Sequence, residues 1–324
     1  MKKKIFWIAT ASILIWVAIG QYWPVTVHIR GTIPEEDFSI RMPSKDKKRL
    51  EFFFREVLFL NTWAYTLMGS KPISSEQYIK PWAVFLKSIK HPDFIDIMIE
   101  CFIPPNFKKT RSYFTPEQLR MKLGWKTLNK YVSRFPNSRF FLYTSFSKDN
   151  ETVLLAIIDK IKLIRTVKLY LNDFQAVLKS QAITPEDLID NIKLRQFMKG
   201  LTHVGFEGTL LGFGRDNAWL YDKCRDENPA EWPMTSAWPE EEIVNLEELN
   251  RKTFAYEPWE LSDLFYPRFA CDPNSEETKQ LKQTYRKERE IIVKYYEGKD
   301  IVEATLSLFN QKLRCYTGAF PFSG

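Results

Sequence analysis

Three lysines, Lys2, Lys3 and Lys4, stand before an uncharged apolar run from Ile5 to Gly20 (IFWIATASILIWVAIG), and no Lys, Arg, Asp or Glu follows until Arg30. A positive flank followed by such a run is the pattern an export machinery reads. The run is longer than the ~7–15 residues of an ordinary signal-peptide core. With Tyr22 and Trp23 as interfacial aromatic anchors, residues 5–23 approach the ~20 residues that span a hydrocarbon core. A buried core helix would not carry three consecutive lysines at its tip. Two fates follow: retention as a signal-anchor, or cleavage after the Ala18-Ile19-Gly20 site. Length favours retention, which leaves the lysines in the cytoplasm and the body across the membrane. No lipobox cysteine is present in this region.

That segment also explains most of the basicity. The chain has 47 basic and 40 acidic residues, a formal charge of +7, but Lys2, Lys3, Lys4 and Arg30 all precede the first acid, Glu35. Without those four the balance is 43 to 40, an ordinary surface that argues against a global nucleic-acid face. The remainder is long enough to bury a sizeable core, and its 25 Phe, 14 Tyr and 10 Trp supply large buried areas per side chain. Cys101, Cys224, Cys271 and Cys315 stand apart, with only three histidines in the chain, so zinc-finger spacing is excluded and no metal site is expected. The four thiols leave both disulfides and free buried cysteines open.

Beyond Pro24, the alternation of Val25, Val27 and Ile29 with polar residues predicts a short strand, and a connector through residues 24–44 leads into the body at 45–324. Helical spacing from Lys45 (Leu50, Phe53, Phe54, Val57, Leu58, Leu60) predicts a first long helix stopped at Gly69 and Pro72. Thr115-Pro116-Glu117-Gln118 and Thr184-Pro185-Glu186-Asp187 read as helix starts. Apolar residues at three- and four-residue steps predict long amphipathic helices over 151–179 and 276–297. Strand candidates are Phe140–Phe146 and the C-terminal Phe320–Phe322. The expected fold is mainly α with a minor β element, α+β as the alternative, and a subdivision near 140–150.

Four stretches carry polar chemistry. Between Phe107 and Arg139 nine cations face the single acid Glu117, with aromatic rings between them; Lys108, Lys109, Arg111, Arg120, Lys122, Trp125, Lys126 and Lys130 are the candidates for an anionic lipid or an acidic partner. The bland reading is a solvated basic helix face. Residues 222–260 are acidic and proline-rich and could form a binding loop, but folding back against the basic stretch to neutralise it is the preferred account. Thr202–Tyr221 (THVGFEGTLLGFGRDNAWLY) holds Gly205, Gly208, Gly212 and Gly214 but matches no phosphate-binding motif. Close helix packing is the plain account of its glycines. Its polar residues His203, Glu207, Arg215, Asp216 and Asn217 sit inside an apolar run and are the candidate catalytic group, Glu207 and Asp216 as acid and base. Finally, Ser70 and Lys71 adjoin a helix end. A Ser/Lys hydrolase usually spaces the pair S-x-x-K, so a helix stop is the preferred reading there.

The segments AYTLMGSKPIS and LLGFGRDNAW resemble motifs of N-terminally anchored proteins of chlamydia-type intracellular bacteria, a group without an assigned activity. The resemblance implies an envelope location and transfers no catalytic residue and no cofactor.

These readings converge on a bacterial envelope protein tethered through residues 5–23 to the inner membrane. Its body in the periplasm would bind a partner protein, a cell-wall polymer or an anionic lipid. Secretion after cleavage near Gly20 is the alternative location. The alternative functions are an extracytoplasmic carboxylate-dependent hydrolase, or anionic lipid or nucleic-acid binding through 107–139, with nucleic acid disfavoured by an extracytoplasmic body.

Overall fold

A computed structural model describes residues 24–29, 38–79, 116–135, 137–146, 152–224, 235–236 and 264–311. The apolar segment 5–23, Lys108, Lys109 and Arg111, most of the acidic stretch and the strand expected at 320–322 lie outside them. Among the described residues no helix is long and apolar enough to cross a membrane.

The described body is mostly helical, as the sequence predicts, and the expected minor β element is a small three-stranded antiparallel sheet. Strand β1 (Pro24–Ile29) pairs antiparallel with β2 (Phe38–Pro43), so part of the expected connector is a hairpin with Val27, Ile40 and Met42 in the core. Helix α1 (Ser44–Arg55) follows, and its buried Leu50, Phe53 and Phe54 are the residues whose spacing predicts it. The predicted single helix to Gly69 is interrupted, however. A π-helical turn (Glu56–Leu60) widens the spiral, Asn61 and Thr62 leave it, and a short helix α2 (Trp63–Leu67) restarts the chain. Thr62 is the pivot, with φ 61 and ψ 17 in the left-handed region that a β-branched residue rarely enters.

Strand β3 (Ile73–Ile79) and β4 (Phe140–Phe146) flank β5 (Thr152–Asp159), giving the order β3-β5-β4. Here the expected helix over 151–179 is corrected: residues 152–159 are the central strand, and the helices are α4 (Lys160–Leu169) and α5 (Leu171–Ser180). The physical reason lies in burial on both faces. Val153, Leu155 and Ile157 enter one core cluster, whereas Ala156 and Ile158 enter the other. A strand covered on both sides shows no apolar-polar alternation, and an unbroken apolar run reads as either element. Asp159 ends the strand and caps α4, accepting from the backbone N–H groups of Ile161 and Lys162.

One layer against the sheet holds α1, α2, α3 (Pro116–Val132) and two C-terminal helices built around Tyr285, Ile292, Tyr296, Leu306 and Phe309. The other holds α4, α5, α6 (Asn191–Gly200) and part of α7 (Val204–Leu210), around Leu163, Phe174, Phe197 and Leu210. Helix α7 packs against α8 (Arg215–Cys224), and Gly208 makes the approach possible because a Cβ there would lie 2.8 Å from Ala218 Cβ. Strands β6 (Thr235–Ser236) and β7 (Ala270–Cys271) form a two-residue ladder. Helix α9 (Glu276–Tyr296) matches the predicted 276–297 helix, and α10 (Ile301–Phe309) closes on β1 and α1. Cys224 and Cys271 are buried and form no disulfide.

Candidate functional site

The two motif segments meet in space. Tyr285 of α9 donates its hydroxyl to the carbonyl of Gly212, and Lys71 Nζ lies 5.5 Å from the centroid of the Phe213 ring. Gly212 turns at φ 78, and a Cβ there would approach Tyr285 Oη at 2.7 Å and Lys71 Cγ at 2.9 Å. Only glycine fits that fold-back. Gly69 directly follows the C-cap of α2, Met68, as the predicted helix stop requires. Its φ is not positive, but a Cβ there would overlap the carboxylate of Glu288.

At this junction a cavity of about 270 Å³ opens. Leu60, Leu211, Phe213, Phe265 and Tyr266 give it an apolar and aromatic wall, and Asn61, Thr62, Lys71, Ser75 and Arg268 supply its polar groups. Lys71 is only 4% exposed, and its ammonium group donates to Thr62 Oγ1 at 2.9 Å. No carboxylate pairs with it among the described residues; burial alone pushes its pKa down to about 7. At neutral pH a large fraction of this amine is therefore uncharged.

Thr62 is held from several sides. Its carbonyl accepts from Ser74 Oγ at 3.0 Å, and Ser74 Oγ lies 2.8 Å from Thr66 Oγ1. Lys162 donates to the Thr66 carbonyl at 2.6 Å and pairs with Asp159 at 3.2 Å. Arg139 completes this chain with a forked contact to Asp159 through Nε and an Nη. The strained turn at Thr62 is thus anchored to the end of the central strand. Backbone strain of this kind costs on the order of 1–3 kcal/mol and persists only where the surroundings enforce it.

Ser70, the residue adjacent to Lys71, faces elsewhere: it hydrogen-bonds Glu288, whose carboxyl burial raises to about 7. The hydroxyl partner of Lys71 is nine residues back, across the break in the first helix.

None of His203, Glu207, Arg215, Asp216 and Asn217 lines the cavity. His203 caps α7 through Nδ1, contacts Asp222 at 3.3 Å through Nε2 and lies beside the Trp219 ring. Arg215 is committed to Asp173 at 2.8 and 3.1 Å and to Asp216 at 3.1 Å, and it holds the Asp173 carboxyl below its ordinary range. Asn217 is buried and ties α8 to α9 by donating to Thr278 Oγ1 at 3.0 Å, while Asp272 N donates to its Oδ1. Glu207 and Asp216 are exposed. In the basic stretch, Trp125 is a core residue packed edge-on against Trp63, and Lys130 pairs with the buried Asp46 at 2.9 Å. Arg120 lies over the Phe52 ring, and Lys122 and Lys126 are exposed on α3.

No protein-family model, curated protein or solved structure matches this chain.

Proposed function

We propose that this chain is an envelope protein tethered to the inner membrane by a transmembrane or signal helix within residues 5–23, and that its helical body binds a small ligand in the cavity at Lys71. One observation carries the binding reading: a buried lysine that has no acidic partner among the described residues borders a half-open cavity. Buried ammonium groups are stabilised by pairing, and where the protein supplies no acid a ligand oxygen can fill that role. The aromatic wall suits a flat or apolar body, and exposed Arg268 offers a second cationic contact for a carboxylate or phosphate. At about 270 Å³ the space suits a molecule below the roughly 300–1,000 Å³ of drug-sized sites.

Ligand-observed NMR on the full chain in detergent, with benzoate, phenyl phosphate and acetate, tests the reading. Saturation transfer to the aromatic anions is expected, with loss in Lys71→Met. Absence of binding by every probe, or equal binding by the variant, defeats it. Fractionation of cells with intact-mass analysis tests the location: recovery of an uncleaved chain in the inner membrane supports the tether, and a soluble cytoplasmic chain removes it.

A further inference from the structure

We infer that Thr62 and Lys71 form a hydroxyl–amine dyad, Thr62 Oγ1 as nucleophile and Lys71 Nζ as its base, which cleaves small carboxylic esters bound in the cavity. The inference rests on the cavity being a ligand site and adds chemistry to it.

Three independent features support it. The first is contact: Nζ and Oγ1 are 2.9 Å apart, within the reach that proton transfer requires, and both residues line the same space. The second is the backbone. A threonine at φ 61 is a β-branched residue in the left-handed region, and such strain concentrates at sites where the chain must present one side chain in one direction. The third is the state of the amine. A lysine acts as a base only when deprotonated, and desolvation, with no acid paired to it among the described residues, favours that state near neutrality. Among the described residues the other charged or titratable groups bordering the cavity are Arg268 and Tyr266, with Tyr285 behind Gly212, and none of these is a carboxylate that would restore the lysine's charge.

The step balances as follows. Thr62 Oγ1 forms a bond to the ester carbonyl carbon while its proton passes to Lys71 Nζ. Collapse of the tetrahedral species breaks the carbon–oxygen bond to the leaving alcohol, which departs with that proton. A water molecule then adds to the acyl-Thr62, Lys71 again taking and returning a proton, and the carboxylic acid is released.

The test incubates the full chain in detergent with p-nitrophenyl acetate and, separately, a fluorophosphonate probe, with mass analysis of the peptide containing Thr62. One acyl or phosphonyl group on Thr62 is expected, formed faster as pH rises through about 7. Thr62→Ser should still react. Lys71→Met should react about 100-fold more slowly or worse, the range for losing a general base. Thermal melting of each variant verifies folding. If Lys71→Met does not fold, Thr62→Ala decides: labelling that persists in it overturns the inference. No adduct, an adduct on another residue, or an unchanged rate in folded Lys71→Met also overturns it. Benzoate binding without any adduct removes the dyad and leaves the ligand site standing; loss of both removes both.

Discussion

Arg139 and Asp159 meet in a forked ion pair between the start of one strand and the end of its neighbour, with Asp159 fully buried and Arg139 nearly so. The carboxylate also accepts from Ile161 N, Lys162 N and Lys162 Nζ, so it closes a strand, opens a helix and reaches Thr66 through Lys162. Removing one member of a buried pair strands the other charge, a loss of about 3–5 kcal/mol. Asp159→Ala is expected to lower stability by that amount in urea denaturation. Asp159→Asn should keep part of the cap and lose less. A loss under 1 kcal/mol for Asp159→Ala would mean the network is incidental.

Gly212 tests the fold-back between the two motifs. Alanine there must adopt φ 78, which costs about 1–2 kcal/mol for an L side chain, and its methyl would crowd Tyr285 Oη and Lys71 Cγ. Gly212→Ala is therefore expected to destabilise by at least that backbone cost and to weaken ligand binding, read by the same melting and NMR measurements. Gly298 serves as the control. It also has positive φ, at 68, but nothing lies within 4 Å of its Cβ position, so Gly298→Ala should show the backbone cost alone.

How much of this was legible in the chain depends on what each element buries. Helix 276–296 could be read because it keeps a face in contact with solvent, leaving a period in the sequence, and strand 140–146 because it is a short run rich in aromatic residues. Strand 152–159 could not, because Ile157 and Ile158 are buried on opposite faces. Of the site, the segment holding Lys71 was visible and its partner was not. Adjacency suggested Ser70, whereas the break at Thr62 swings a residue nine positions earlier into contact, and no propensity signals a left-handed threonine. Asn217 and Arg215 drew notice as polar residues in an apolar run; the reason is helix-to-helix anchoring through Thr278 and Asp173.

Lys71 makes stability depend on pH in a defined direction. Its folded pKa of about 7 lies below the ordinary 10.5, so between those values the unfolded chain binds more protons than the folded one. Stability should rise with pH from 7 towards 10, with no contribution to the slope below 7, where both states are charged. Lys71→Met removes that slope, so its stability relative to the parent should be greater at pH 7 than at pH 10, read by urea denaturation at both. A bound aromatic carboxylate should act on the native protein in the same pH range, raising melting temperature more at pH 6 than at pH 9.

Glu288 produces the opposite slope at lower pH. Burial raises its carboxyl to about 7 from 4.5, against the lowering influence of Ser70 and Lys162, and its Oε2 is buried without a hydrogen-bond partner. Between pH 4.5 and 7 the folded state keeps a proton that the unfolded state has released, so this group's contribution falls as pH rises and levels off above 7. Glu288→Gln keeps the shape that fits against Gly69 and cannot ionise. Its chemical denaturation at pH 5, 6, 7 and 8 should therefore show a shallower decline than the parent, with the variant gaining most at pH 8. Because Glu288 touches Ser70, one residue from Lys71, the same variant separates the two titrations. The rise above pH 7 should survive in Glu288→Gln and vanish in Lys71→Met, and a single variant abolishing both slopes would show that the two groups titrate as one.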